Sequence, residues 1–372
     1  MNKFRYILAV VLVALCGCEQ DTMIEIEENE TIVPSNGYIF FDTEKITRGV
    51  AVQNYLQDDF HVLGYKYQGE WSLVKPQASQ NTYGVFDNKP QLVAWDESSG
   101  SHSYTPMKEW DIASTYSFFA WYPNDKCTFS GVAYEGNPYI IYTLDKTDPT
   151  KQVDVLTACI IDRKVNLSDA SSKSVSFMMK HRLSALDVIA RSYVNATTLG
   201  LGDERTAQVK INAVNLAFSN LLYDKVKIPL NTNDANEQLE GSNTGSGTTL
   251  TFNAIAENRL VNYYNNSNDV ANLTYEQENT MFLIPQAEEL SCTLTVNYDI
   301  VNENGISIWD EVYATTPDDE KPNKVQTSNV SIRELVEGRY YYLLINVTKS
   351  GISVVVLEAE AWDDQNVEHE FE

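Results

Sequence analysis

The sequence predicts an all-β protein built of antiparallel sandwiches. Short runs rich in β-branched and aromatic residues recur along the chain. Turn-forming segments separate them at close intervals, and few stretches repeat an apolar stripe at helical spacing. At 372 residues the chain is long enough for about two domains of ~150 residues each. Hydrophobic residues make up 43 %, which argues against wholesale disorder.

The first residues are of another kind. Lys3 and Arg5 precede an apolar stretch, 6–15, of signal-peptide length and too short to span a bilayer. Leu15, Cys16, Gly17 and Cys18 follow, in the order of a bacterial lipobox. Cys18 is the better lipidation site, because bulky Leu15 stands before Cys16 and small Gly17 before Cys18. Three acyl chains on Cys18 would anchor the chain firmly in a membrane. This predicts a signal peptide over 1–17 and a tether over 18–37. The tether carries Glu19, Asp21, Glu25, Glu27, Glu28 and Glu30. It reads equally as a solvated spacer or as the acidic signal, which it resembles, that sends lipoproteins to the outer face of the outer membrane.

A first short strand is expected at Tyr38, Ile39, Phe40 and Phe41. A turn or two of helix over 53–58 comes next, then strands over 60–67, 116–123, 139–144 and 153–161. The polar stretch 168–173 is the preferred domain boundary, dividing an N-terminal sandwich, 38–170, from a C-terminal one, 171–372. A second possible break covers 195–205. Strands are expected to resume over 175–189, 209–218, 225–230, 248–252, 281–285, 292–300 and 306–315. Residues 231–247 read as a solvated loop, and 332–337 as one or two helical turns. Two final strands, 339–347 and 352–362, flank a hairpin turn at Lys349, Ser350 and Gly351.

Lys and Arg number 27 against 52 Asp and Glu, a net charge of −25. Such a chain is repelled by nucleic acid and by anionic lipid surfaces. Eight acids and two bases lie within 19–48, so this segment alone carries −6. Cys127, Cys159 and Cys292 are too widely spaced for a disulfide framework and lack zinc spacing, so small buried hydrophobes is their default reading. No nucleophile elbow, phosphate loop, dinucleotide fingerprint or metalloprotease motif occurs, and no cofactor or metal is called for. His61, His102, His181 and His369 are scattered. His181 reads as a satisfied strand histidine. Acidic clusters such as Asp58 with Asp59, and Asp318 through Glu320, lack the spacing of a calcium loop. Trp71, Trp95, Trp110 and Trp309 could stack on sugars, although core packing is the commoner role.

Several segments, taken in order, resemble the fimbrillin family of Bacteroidales, the lipoprotein precursors of type V pili. They are the lipobox at Cys18 with its acidic tether and the short strand 38–41 leading to Ile46, Thr47, Arg48 and Gly49. Then come Trp110 and the run Tyr116, Phe118, Phe119, Trp121 and Pro123, followed by Asp154, Val155 and Leu156. After these stand Phe177, Lys180, His181, Arg182 and Leu183, then Phe282 through Gln286. The series closes with Glu337, Gly338, Arg339 and Tyr340, the final strand pair, and Trp362.

The resemblance implies two transthyretin-like sandwich domains and a structural, non-enzymatic role in a stalk, tip or anchor of a pilus contributing to cell adhesion. It further implies cleavage by an arginine-specific protease between Arg48 and Gly49. The strand Tyr38, Ile39, Phe40 and Phe41 would then be displaced, and a donor strand from another pilin subunit would take its place. Val355, Leu357, Ala359 and Ala361 alternate as donor residues in this reading, and partners include outer-membrane lipid before processing and a host or bacterial surface ligand. A surface glycan-binding lipoprotein of a polysaccharide-uptake system is the alternative.

Overall fold

The computed structural model describes residues 37–43, 56–74, 83–129, 137–145, 148–202, 205–218, 222–235, 238–244, 250–252, 257–265, 269–273 and 280–361. All belong to one compact unit, 34–372. In chain order the first strands are β1 (Phe40–Thr43), β2 (Phe60–Tyr67), β3 (Tyr83–Gly84), β4 (Gln91–Asp96), β5 (Ser101–Ser103) and β6 (Thr115–Tyr122). Next come β7 (Cys127–Phe129), β8 (Tyr139–Thr143), β9 (Leu156–Arg163), β10 (Ser174–Phe177) and β11 (Lys180–His181). They are followed by β12 (Ser184–Ser192), β13 (Gln208–Phe218), β14 (Lys225–Pro229), β15 (Glu240–Ser242), β16 (Leu250–Phe252) and β17 (Glu257–Val261). The last are β18 (Ala271–Asn272), β19 (Met281–Leu283), β20 (Leu290–Val301), β21 (Val325–Ile332), β22 (Arg339–Thr348) and β23 (Gly351–Ala361). Among the described residues, three single α-helical turns, α1 (Trp71–Val74), α2 (Ala196–Leu199) and α3 (Trp309–Val312), interrupt the series, with 3-10 turns at Pro149–Lys151 and Ala170–Lys173. The fold is all-β.

A seven-stranded sheet runs β11-β9-β6-β2-β4-β5, with β3 beside β2. It is apolar on both faces, which explains why β6 reads as an unbroken aromatic run. Phe119 and Trp121 face one core with Leu63, Tyr65 and Tyr67. Tyr116, Phe118 and Ala120 face a second, smaller core with Val62, Ile39, Phe41, Val175 and Phe177. The two faces of one sheet therefore serve two cores. Gly64 stands where β2 is crowded on the smaller-core side: a Cβ there would lie 2.9 Å from Phe118 Cε1 and 3.1 Å from Phe86 Cε2.

Two further sheets, β18-β12-β22-β23 with β19 and β16-β13-β20-β21 with β17, enclose the rest of the larger core. Leu186, Val188, Leu343 and Ile345 of the first meet Val209, Ile211, Leu294 and Val296 of the second. Among the named strands, pairing is antiparallel except for β1 with β10 and β12 with β22. The remaining sheet, β15-β14-β8-β7, joins strands from before and after residue 170.

Several expectations need correction. The stretch 306–315 is not a strand. Its buried residues, Ile308, Trp309, Val312 and Tyr313, repeat at helical spacing, and Val312 N–H donates to Ile308 O at 2.9 Å in α3. The stretch 332–337 is not helical, because Ile332 ends β21 and Leu335 exchanges two 2.9 Å backbone hydrogen bonds with Gln286. Of the turn expected over 53–58, residues 56–58 are non-helical and 53–55 lie outside the described residues. The expected strand 175–189 is three pieces, β10, β11 and the start of β12. The loop 231–247 contains β15, which extends β14.

Candidate functional site

Residues 38–43 alternate strictly. Tyr38, Phe40 and Asp42 are half-buried, while Ile39, Phe41 and Thr43 are at most 4 % exposed. The segment lies between two backbones. On one side Ile39 N–H donates to Lys108 O and Trp110 N–H to Gly37 O, both at 2.8 Å, and Tyr38 bridges Glu109. On the other, β1 runs parallel to β10, with Phe40 opposite Ser174 and Thr43 opposite Phe177. The regular strand is thus Phe40–Thr43, two residues further along than the sequence suggests, with Tyr38 held by an isolated bridge.

Phe41 is the hub of this groove. Its ring centroid lies 5.3 Å from Tyr104 and from Phe118, 5.9 Å from Phe177 and 6.0 Å from Phe86. Tyr104 Oη donates to Ile39 O at 3.0 Å, and burial pushes its phenol up to about 12, so it stays a neutral donor. Thr43 Oγ1 accepts from Leu56 N–H at 3.1 Å. Trp110 Nε1–H donates to Lys173 O at 3.1 Å, tying the 108–110 wall to the start of β10. His102, on β5, comes within 3.6 Å of Asp42. Tyr104 and His102 stand in an irregular polar stretch where no periodicity marks them, and sequence reasoning passed over both in this role.

Other buried polar groups are structural. His181 Nδ1 and Asp154 Oδ2 are 2.6 Å apart, which makes His181 the satisfied strand histidine that was expected. Arg182 donates to Thr157 Oγ1 and Pro229 O and lies 2.5 Å from Glu337. Burial pushes the Glu337 carboxyl up, against the pull of Arg182. Cys127 and Cys292 are buried and Cys159 half-buried; all three are free thiols. Trp71, Trp110 and Trp309 are at most 7 % exposed, so the structure offers none of them as a sugar platform, and Trp95 is half-buried. Among the described residues, no group of three or more His, Cys, Asp or Glu side chains gathers as a metal site. Nor, among them, is any helix long and apolar enough to cross a membrane.

A family profile described as fimbrillin-like matches residues 69–362. The chain belongs to the fimbrillin-like family. No curated protein matches it. Among solved structures, a fimbrial protein from Bacteroides vulgatus is similar at 17 % identity and a TM-score of 0.57, covering 88 % of this chain and 100 % of that one. This likeness supports the fold. Proteins assigned a proposed cell-adhesion role, from Bacteroides uniformis (14 % identity, TM-score 0.45, 88 % and 99 % covered) and Bacteroides ovatus (13 %, 0.46, 88 % and 96 %), are more distant.

The remaining sites expected of a fimbrillin fall in two places. Cys18, Arg48 and Gly49 lie outside the described residues. Val355 and Leu357 lie on β23, which among the described residues is an edge strand paired with β22 alone. Ile352, Val354 and Val356 of β23 turn toward the larger core, while Val355 is 44 % exposed on the other face. Ala359 and Ala361 belong to the last part of the same strand. There the ladder slips: Tyr341 pairs with Glu358 but Arg339 with Ala361.

Proposed function

We propose that this fimbrillin is a structural, non-enzymatic subunit or accessory protein of a type V pilus and contributes to adhesion at the cell surface. The chain reaches the outer membrane as a lipoprotein anchored through Cys18. An arginine-specific protease cuts between Arg48 and Gly49, and the strand containing Tyr38, Ile39, Phe40 and Phe41 leaves with the tether. A strand from another pilin subunit then enters the groove. The observation that supports this most directly is the seating of residues 37–43. Their loss would expose unpaired backbone on the 108–110 segment and on β10, and would empty the pockets of Ile39, Phe41 and Thr43. An incoming strand satisfies both needs at once, and repeated head-to-tail addition gives a filament.

The donor is drawn from the C-terminal segment carrying Val355, Leu357, Ala359 and Ala361, which peels first where the β22–β23 ladder slips. The division into 38–170 and 171–372 is proposed on the same reading as the two sandwich-level parts of the subunit. Purified full-length protein is expected to stay monomeric, and trypsin to nick it at Arg48 and permit polymers. An Arg48→Ala variant that polymerised as readily as wild type would sink the gating step.

A further inference from the structure

We propose that His102 is a proton-operated latch on the first strand. The ring is buried in a slot, edge-on to Phe60 and Trp95 with centroids 4.9 Å from each. Its Nε2 lies 3.2 Å from the carbonyl oxygen of Asp58. Its Nδ1 has no hydrogen bond, and the nearest charged atom is Asp42 Oδ1 on β1, 3.6 Å away. That carboxylate is itself held in place, because its Oδ1 accepts from Thr43 N–H at 2.8 Å. Both ring nitrogens thus look toward acceptors. A neutral imidazole carries a single N–H, so either tautomer leaves one lone pair facing an oxygen. The imidazolium carries two and meets both.

Among the described residues, the charged side chains named on the elements around the ring are acids. Asp42 comes from β1, and Asp58 and Asp59 from the segment leading into β2, where Asp59 also accepts from Trp95 N–H. Asp96, on β4, is engaged with Ser98 and Ser99. Protonating His102 therefore turns a facing pair of lone pairs into a charge-assisted contact with the first strand. Acid tightens β1 in its groove, and loss of the proton slackens it. The contact regulates strand exchange only if the reading above holds, so its test does not depend on cleavage.

The test is hydrogen exchange on the uncut full-length protein, followed by mass spectrometry of peptides covering 37–43 and corrected for the intrinsic pH dependence of exchange. Between pH about 8 and about 5.5, protection of the wild-type strand should rise about fivefold, as fits a contact in which the Asp42 side chain is 42 % exposed. In Asp42→Asn, whose side chain is 42 % exposed, the ratio between the two pH values should fall to about one. A wild-type ratio of one, or an Asp42→Asn protein that keeps the wild-type ratio, overturns the latch. In a second arm trypsin is added at both pH values. Absence of a nick at Arg48 counts against the processing scheme, while the exchange ratio still judges the latch.

Discussion

The two ends of the described chain are both strands, and they are held in opposite ways. β1 is four residues long, yet Phe41 and Thr43, with Ile39 just before it, are sealed in a core, and backbone holds the segment on both sides. β23 is eleven residues long but, among the described residues, has a ladder partner on one side alone, β22, with Gln326 of β21 reaching Ile352 N–H, and the side chains on its core-facing side are only half-buried. One strand is fixed by what its side chains fill, the other by a long ladder. A short, deeply plugged strand leaves specific holes when it goes. A long, shallow edge strand can come away in part without emptying a core.

The contrast is most exposed to failure at Phe41. Phe41→Ala should cost about 3–5 kcal/mol in urea unfolding, since it empties the centre of an aromatic cluster. Val355→Ala, on the outer face of β23, should stay within about 0.5 kcal/mol. Equal costs would erase the distinction.

Gly64→Val crowds the same core from the opposite wall. It should cost about 1–3 kcal/mol, because the added Cβ meets Phe118 and Phe86 inside van der Waals distance. If the core yields and Gly64→Val is neutral, the groove is looser than described. Thr43→Val keeps the shape but strands the Leu56 N–H, and should cost about 1–2 kcal/mol by the same measurement.

The last effect is on pH dependence, is confined to alkaline solution and samples both cores. Burial pushes the Cys127 and Cys292 thiols, of the larger core, and the Tyr104 phenol, of the smaller, up to about 12. The unfolded chain then releases these protons first, so the stability they support is intact below pH about 9 and lost as pH climbs toward about 12. The urea midpoint should fall steadily over that range. Native Cys127 and Cys292 should resist alkylation near neutral pH and react once denatured.

How much of this was legible depends on whether the signal was local. β2 was readable over its full 60–67 span because alternation and aromatic content coincide there, and β13, β20 and β22 lay within a residue or two of their expected bounds. The turn α3 was mistaken for a strand because Ile306, Ile308 and Val312 are good strand formers, and only tertiary packing reveals their helical spacing. The first strand was legible as a strand, but not its partner. That β1 lies parallel to β10, more than a hundred residues away, follows from the shape of the smaller core, which no local pattern encodes. Tyr104 and His102 were invisible as groove residues for the same reason. The readings at Cys18, Arg48 and Gly49 rest on the sequence and the family alone.

The claim on which the account turns is that the first strand is a removable plug. The most direct test is the N-terminal residue of the subunit within assembled surface filaments, found by mass spectrometry. The account predicts Gly49. Filaments whose subunits still begin at lipidated Cys18, with residues 38–43 in place, would contradict it.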